Sequence, residues 1–204
     1  ITISRSTTTA MYMNDDNYYT RVPTQQPFAP LAIGVALMCL TYAGGHISGG
    51  HYNPAVSLAV FLSGRNKMSL IQLAGYTVCQ FLGGILGAGI GFGIMDENGA
   101  PDFKKDTGGY LFGAEFVYTL GLCLIFLQVG TSKKTENNGY FGLAIGLFVF
   151  AGAASVGMIS GGFFNPAVTG GMFSIANSQD NDNENWYIYY LAQYLAAFRV
   201  LPTY

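Results

Sequence analysis

The chain has 204 residues, of which half are apolar, a tenth are charged and 28 are glycine, and its formal net charge is −2. A soluble domain carries about 25% charged residues, so the composition argues against an ordinary soluble protein. Near neutrality gives no footing for nucleic acid or for a basic membrane-surface patch.

Residues 1–27 are polar, rich in Thr, Asn and Tyr, and are expected to form a loop or tail. They lack the charged, apolar and small-residue succession of a signal peptide. Beyond them the charges gather into short stretches between long uncharged runs, as a bilayer demands of groups that are costly in hydrocarbon. A membrane helix needs about 20 mostly apolar residues. Phe28–His46, Met68–Met95, Tyr110–Gly130, Tyr140–Ser160 and Trp186–Leu201 meet or approach that length, the last being short and carrying Arg199. Pro54–Ser63 and Pro166–Ala176 are half as long. Ten residues reach only about 15 Å, so each can enter the membrane without crossing it. The expectation is an all-α membrane protein with about five full spanning helices and two re-entrant half-helices. It places one domain over residues 28–204, divided into repeats at 28–95 and 110–204.

The loops set an orientation. Arg65, Lys67, Lys133 and Lys134 follow the first and third spans, whereas Lys104 and Lys105 lie among Asp96, Glu97, Asp102 and Asp106 after the second. The loop after the fourth holds Asp180, Asp182 and Glu184. Counting Lys and Arg alone places the Arg65 and Lys133 loops in the cytoplasm. Cys39, Cys79 and Cys123 sit in apolar runs and read as small hydrophobes. No disulfide framework or metal spacing is present, and no cofactor is expected.

Self-similarity is the strongest signal. Leu31-Ala32-Ile33-Gly34 recurs as Leu143-Ala144-Ile145-Gly146, and Gly45-His46-Ile47-Ser48-Gly49-Gly50-His51-Tyr52-Asn53-Pro54-Ala55-Val56 recurs as Gly157-Met158-Ile159-Ser160-Gly161-Gly162-Phe163-Phe164-Asn165-Pro166-Ala167-Val168. The offset is constant at 112 residues (31 to 143, 53 to 165). Two complete spans separate the copies, so they begin on opposite faces of the membrane. This is the inverted repeat of many transport proteins.

Asn is a favoured helix N-cap and Pro a favoured first helical residue. Asn53-Pro54-Ala55 and Asn165-Pro166-Ala167 thus start two short helices whose positive ends point into the membrane. Irregular backbone at membrane depth survives where it is buried or lines a wet cavity. Carbonyls of Gly49, Gly50, His51, Gly161, Gly162 and Phe163 are therefore expected along a single-file path. The two asparagine amides would donate to a water oxygen, and the helix dipoles would repel protons and cations. Helix capping alone would not call for two inverted copies.

At these residues the chain resembles the aquaporins, the major intrinsic protein family, over about Pro27 to Trp186, with His46-Ile47-Ser48-Gly49-Gly50-His51 similar to the family's first pore loop. The resemblance implies a channel for water and small neutral solutes such as ammonia, urea, peroxide or glycerol. It also implies homotetrameric assembly and residence in a plasma or vacuolar membrane. It gives Glu115 the role of a buried carboxyl bracing a pore loop, and places a selectivity ring at Ile33, Ala153, Gly162 and Val168. Water-specific members carry Arg where Val168 stands and commonly His where Ala153 stands, so the implied ring is wide and apolar, as in vacuolar members with Val. The family has six spans, and residues 1–27 do not read as the first of them. The last helix has Ala192-Gln193 where Gly-Pro is typical. A fragment, or a non-conducting relative that kept the fold, is the alternative expectation. An enzyme finds no support, since His46 and His51 have no paired acid, nucleophile or metal-ligand cluster nearby.

Overall fold

The computed structural model describes residues 8–13, 19–24, 28–95, 108–177 and 185–200. The polar amino-terminal stretch departs from the expected loop. Thr8–Met13 (β1) pairs antiparallel with Tyr19–Thr24 (β2), in a register running from Thr8 opposite Thr24 to Met13 opposite Tyr19. Threonine and tyrosine in both segments, with Val22 in the second, favour extended backbone, which a reading centred on polarity overlooks.

The rest is helical: α1 (Ala29–Ser48), α2 (Pro54–Leu62), α3 (Leu70–Met95), α4 (Gly108–Phe126), α5 (Phe141–Ser160), α6 (Pro166–Asn177) and α7 (Trp186–Arg199). A π-helical turn, Leu127–Thr131, extends α4. Among the described residues four helices are long and apolar enough to cross a membrane: α1, α3, α4 with its π turn, and α5. The fifth expected span is described for the 14 residues of α7, and Leu201 lies outside the described residues. So do the acidic loops at 96–107 and 178–184, on which part of the orientation reading rested. Helices α2 and α6 have 9 and 12 residues, about 14 and 18 Å of rise, matching the half-length expectation.

The repeat is visible in the packing. α1 lies against its counterpart α5, α3 against α6, and α7 against both α2 and α4. α1 and α5 cross where Leu-Ala-Ile-Gly recurs. A Cβ at Gly34 would fall 2.6 Å from the Gly146 carbonyl oxygen, and one at Gly146 would fall 2.5 Å from the Gly34 oxygen. α3 meets α6 as closely, since a Cβ at Gly84 would lie 2.2 Å from the Ala167 oxygen and one at Gly171 would lie 2.3 Å from the Gly84 oxygen. Small residues allow this approach, and in lipid it is van der Waals packing that holds helices together.

The main core joins the half-helix α2 to its surroundings: Ala55, Val56, Ala59 and Val60 with Leu122, Cys123, Phe126, Val149, Phe164 and Ala197. The outer faces stay apolar and uncovered, with Ile71, Val78, Leu82, Leu86, Ile90 and Ile94 of α3 all exposed. Water would oppose a surface of that extent, whereas lipid matches it.

Candidate functional site

Both half-helices begin with an asparagine that caps its own helix and reaches into the opposite repeat. Asn53 Oδ1 accepts from the backbone N–H of Ala55 (2.9 Å) and Val56 (3.5 Å), while its Nδ2 donates to the Phe164 carbonyl at 2.8 Å. Asn165 Oδ1 accepts from Ala167 N–H at 3.0 Å, and its Nδ2 donates to the Tyr52 carbonyl at 2.9 Å. The two donor–acceptor pairs are counterparts at the 112-residue offset. An asparagine amide has two N–H groups, so each keeps one beyond the interlock.

The chain reaches these caps through matched turns. Gly49 and Gly50 have φ of 78° and 66°, and Gly161 and Gly162 have 88° and 68°. Glycine occupies such left-handed backbone at little cost. Tyr52 and Phe164 follow with φ of 47° and 49°, a strained conformation for bulky residues that persists when its surroundings hold it. Here the interlocking asparagines grip the carbonyls of these same two residues.

Glu115 lies behind the second turn and is fully buried. Its Oε1 accepts from Ser160 Oγ (2.7 Å) and Phe163 N–H (3.1 Å), and its Oε2 accepts from Phe164 N–H (2.8 Å) and Gln193 Nε2 (2.8 Å). Tyr189 adds a hydroxyl bond of 2.7 Å to the Ser160 carbonyl. Around the first turn Tyr76 donates to the Ser48 carbonyl (2.9 Å), Gln80 Nε2 donates to Ser57 Oγ (2.9 Å), and His51 Nδ1 shares that hydroxyl at 3.1 Å. Residue 3, which stands at the Glu115 offset, lies outside the described residues. The His51 ring is wedged between Tyr76 (5.3 Å) and Phe126 (5.0 Å), where its counterpart Phe163 packs on Tyr189 at 5.4 Å.

Sequence reading missed Tyr76, Gln80, Tyr189 and Gln193. Their signal is present: Tyr76-x-x-Cys79-Gln80-Phe81-Leu82-Gly83-Gly84 recurs as Tyr189-x-x-Ala192-Gln193-Tyr194-Leu195-Ala196-Ala197, at an offset of 113 (76 to 189). One extra residue between α6 and α7 breaks the 112 register and hides the match. The Ala192-Gln193 pair that looked irregular is thus the repeat's own continuation.

A cavity of about 860 Å³ lies along the two turns and is lined by Asn53, Asn165, His51, Gly161, Gly162 and Phe163 among others. Ile33 and Val168 of the expected ring also line it. Ala153 is buried, with its Cα 3.0 Å from where a Gly162 Cβ would stand, and is not part of the wall. Pro54, Ala55, Pro166 and Ala167 are buried in the first turns of their helices; Ala167 also reaches the cavity. Gly50 is buried and Gly49 exposed, and neither lines the cavity. Among the described residues no group of three His, Cys, Asp or Glu side chains could hold a metal ion.

Four apolar helices around two half-helices, interlocked through asparagines of an inverted repeat, define a multi-pass integral membrane protein. Residues 3–197 match the family model described as major intrinsic protein, a wider span than the motifs alone carried. Aquaporin-5 of Sus scrofa is 33% identical over 153 residues, covering 72% of this chain and 57% of that protein. Nodulin-26 of Glycine max is 34% identical over 158 residues, 75% of this chain and 56% of that one. The probable aquaporin PIP2-7 of Oryza sativa subsp. japonica is 33% identical over 180 residues, 82% and 60% of the two chains. The chain belongs to the major intrinsic protein family. It spans little more than half the length of these curated relatives.

Proposed function

We propose that the chain forms a passive, proton-excluding path for water and small neutral solutes, in homotetramers within a plasma or vacuolar membrane. The reciprocal asparagine interlock carries this reading. Each Oδ1 is occupied by its own helix and each Nδ2 uses one hydrogen on the opposite loop. What remains for a molecule in the cavity is N–H donation from both asparagines. A water there accepts through its oxygen and turns its hydrogens away in both directions, which interrupts a proton wire. The half-helix N-termini, each equivalent to about +0.5 charge, add a barrier to cations. Ile33, Gly162 and Val168 offer no side-chain donor or charge, so ammonia, urea, peroxide and glycerol are candidate solutes beside water. No step calls for a covalent intermediate, metal or cofactor.

The chain in liposomes, subjected to an osmotic step and followed by stopped-flow light scattering, tests this directly. Wild-type vesicles are expected to shrink several-fold faster than empty ones, and Asn53→Asp to abolish most of the gain. Shrinkage at the rate of empty vesicles, with insertion verified, would leave the alternative of a membrane protein with this fold that does not conduct.

A further inference from the structure

The face of α1 toward the cavity carries Ile33, Leu37 and Leu40, and the spacing of four from Ile33 and Leu37 continues that stripe to Thr41. Thr41 is fully buried, and its Oγ1 has no hydrogen-bond partner among the described residues, a condition shared with Thr119 on α4. Helical hydroxyls usually turn back to the carbonyl four residues earlier. Thr77, Thr131, Ser155, Thr169 and Ser174 all do so, at 2.7–3.1 Å. Thr41 forgoes that bond and stands against a pore turn instead. A Cβ at Gly50 would lie 3.2 Å from Thr41 Cγ2 and 3.3 Å from its carbonyl oxygen.

The repeat gives this contact its meaning. Ile33, Gly162 and Val168 on one side of the asparagines correspond at the 112-residue offset to Ile145, Gly50 and Val56 on the other, and the remaining pair is Ala153 and Thr41. Ala153 touches Gly162 as Thr41 touches Gly50. Three of the four places match in chemistry, and the fourth exchanges a methyl group for a hydroxyl-bearing side chain.

We propose that Thr41 is a hydrogen-bonding station of the path, on the Arg65 side of the asparagine pair. Its hydroxyl serves a water molecule, or the oxygen of a small neutral solute, as that molecule passes Gly50. The inference rests on the conducting function proposed above. Rotation about χ1 exchanges Oγ1 with Cγ2, the atom that now faces Gly50, and threonine in helices populates two such rotamers. The contact is closed in this conformation, so the hydroxyl is reached when the Gly49-Gly50 turn shifts. Discrimination among solutes then involves Thr41, since Ile33, Gly162 and Val168 along the cavity carry no side-chain donor.

The test uses proteoliposomes of Thr41→Val, Thr41→Ser and Thr41→Cys, the last with Cys39, Cys79 and Cys123 replaced by alanine. Thr41→Val keeps the shape and removes the hydroxyl, and is expected to lower water permeability about five-fold, the weight of one hydrogen bond. Thr41→Ser is expected to stay within about two-fold of wild type. Thr41→Cys is expected to take up mercuric chloride, read as an adduct by mass spectrometry. Unchanged flux in Thr41→Val together with a raised melting temperature would identify a dry structural hydroxyl and overturn the proposal. If wild-type vesicles shrink no faster than empty ones, the conducting function fails. The station then falls with it, since no path remains for Thr41 to serve; where the wild type conducts, absence of the mercury adduct overturns the station while the conducting function stands. The adduct also decides if Thr41→Val does not fold.

Discussion

A few side chains hold backbone here that would not otherwise keep its shape. Tyr52 and Phe164 sit at positive φ, and each surrenders its carbonyl to the asparagine of the other repeat. On the second turn Glu115 gathers four donors from Ser160, Phe163, Phe164 and Gln193. Truncating it would leave all four in a dry interior, and an orphaned buried donor costs about 1–3 kcal/mol. Glu115→Ala is therefore expected to lose roughly 3 kcal/mol or more, and Glu115→Gln less, since one oxygen survives. Thermal unfolding in detergent measures both, and an unchanged melting temperature for Glu115→Ala would remove the carboxyl from its bracing role. Asn53, Asn165 and the two glycine turns were legible from the repeated motif. The function of Glu115 was legible only through resemblance, because one acid in an apolar span does not name its partners. Thr41 was not legible at all, since threonine in a membrane helix is ordinary until its hydroxyl is seen to lack a partner.

Between elements, glycine position decides how near two helices come. The four-residue spacing of Gly83, Gly87 and Gly91 in the second span suggests a contact stripe, but the close crossing is made by Gly84. A Cβ at Gly83 would meet nothing within 4 Å, whereas one at Gly84 would strike the backbone of α6. Gly84→Ala must push α6 away, and overpacking of this kind costs typically 1–3 kcal/mol. Gly83→Ala is expected to be neutral or stabilising by up to about 1 kcal/mol, through helix propensity. Paired melting curves separate the two, and equal effects would mean the α3–α6 crossing is not tight. The Gly83, Gly87 and Gly91 stripe suits packing inside a subunit or between subunits, and a repeat of four identifies a helix face without saying which partner that face meets. The Tyr-x-x-x-Gln match between α3 and α7 was lost for a related reason, a single added residue in the preceding loop.

At the scale of the molecule, Arg65 ties the loop after α2 to the end of α4. Its Nη1 donates to the Leu127 carbonyl (2.6 Å) and to Thr131 Oγ1 (2.7 Å). That bond puts the Arg65 loop and the turn at Lys133–Thr135 on one side of the membrane, the pairing inferred from Lys and Arg counts. Single cysteines at Lys67 and Lys133, in a background without Cys39, Cys79 and Cys123, are therefore expected to react with a membrane-impermeant maleimide from the same side, the cytoplasmic one. Labelling from opposite sides would overturn the topology.

The sequence by itself determined the membrane class, the inverted repeat and the asparagine turns, because each is written in local terms: apolar length, a constant offset, and a cap followed by proline. It also carried the family. Only the tertiary structure decided that each asparagine holds the other repeat's carbonyl, that Gly84 rather than Gly83 is the crossing point, and that Thr41 rests unpaired against Gly50. These depend on distances between segments far apart along the chain. Such distances follow from how the helices pack together, which no single window of sequence contains.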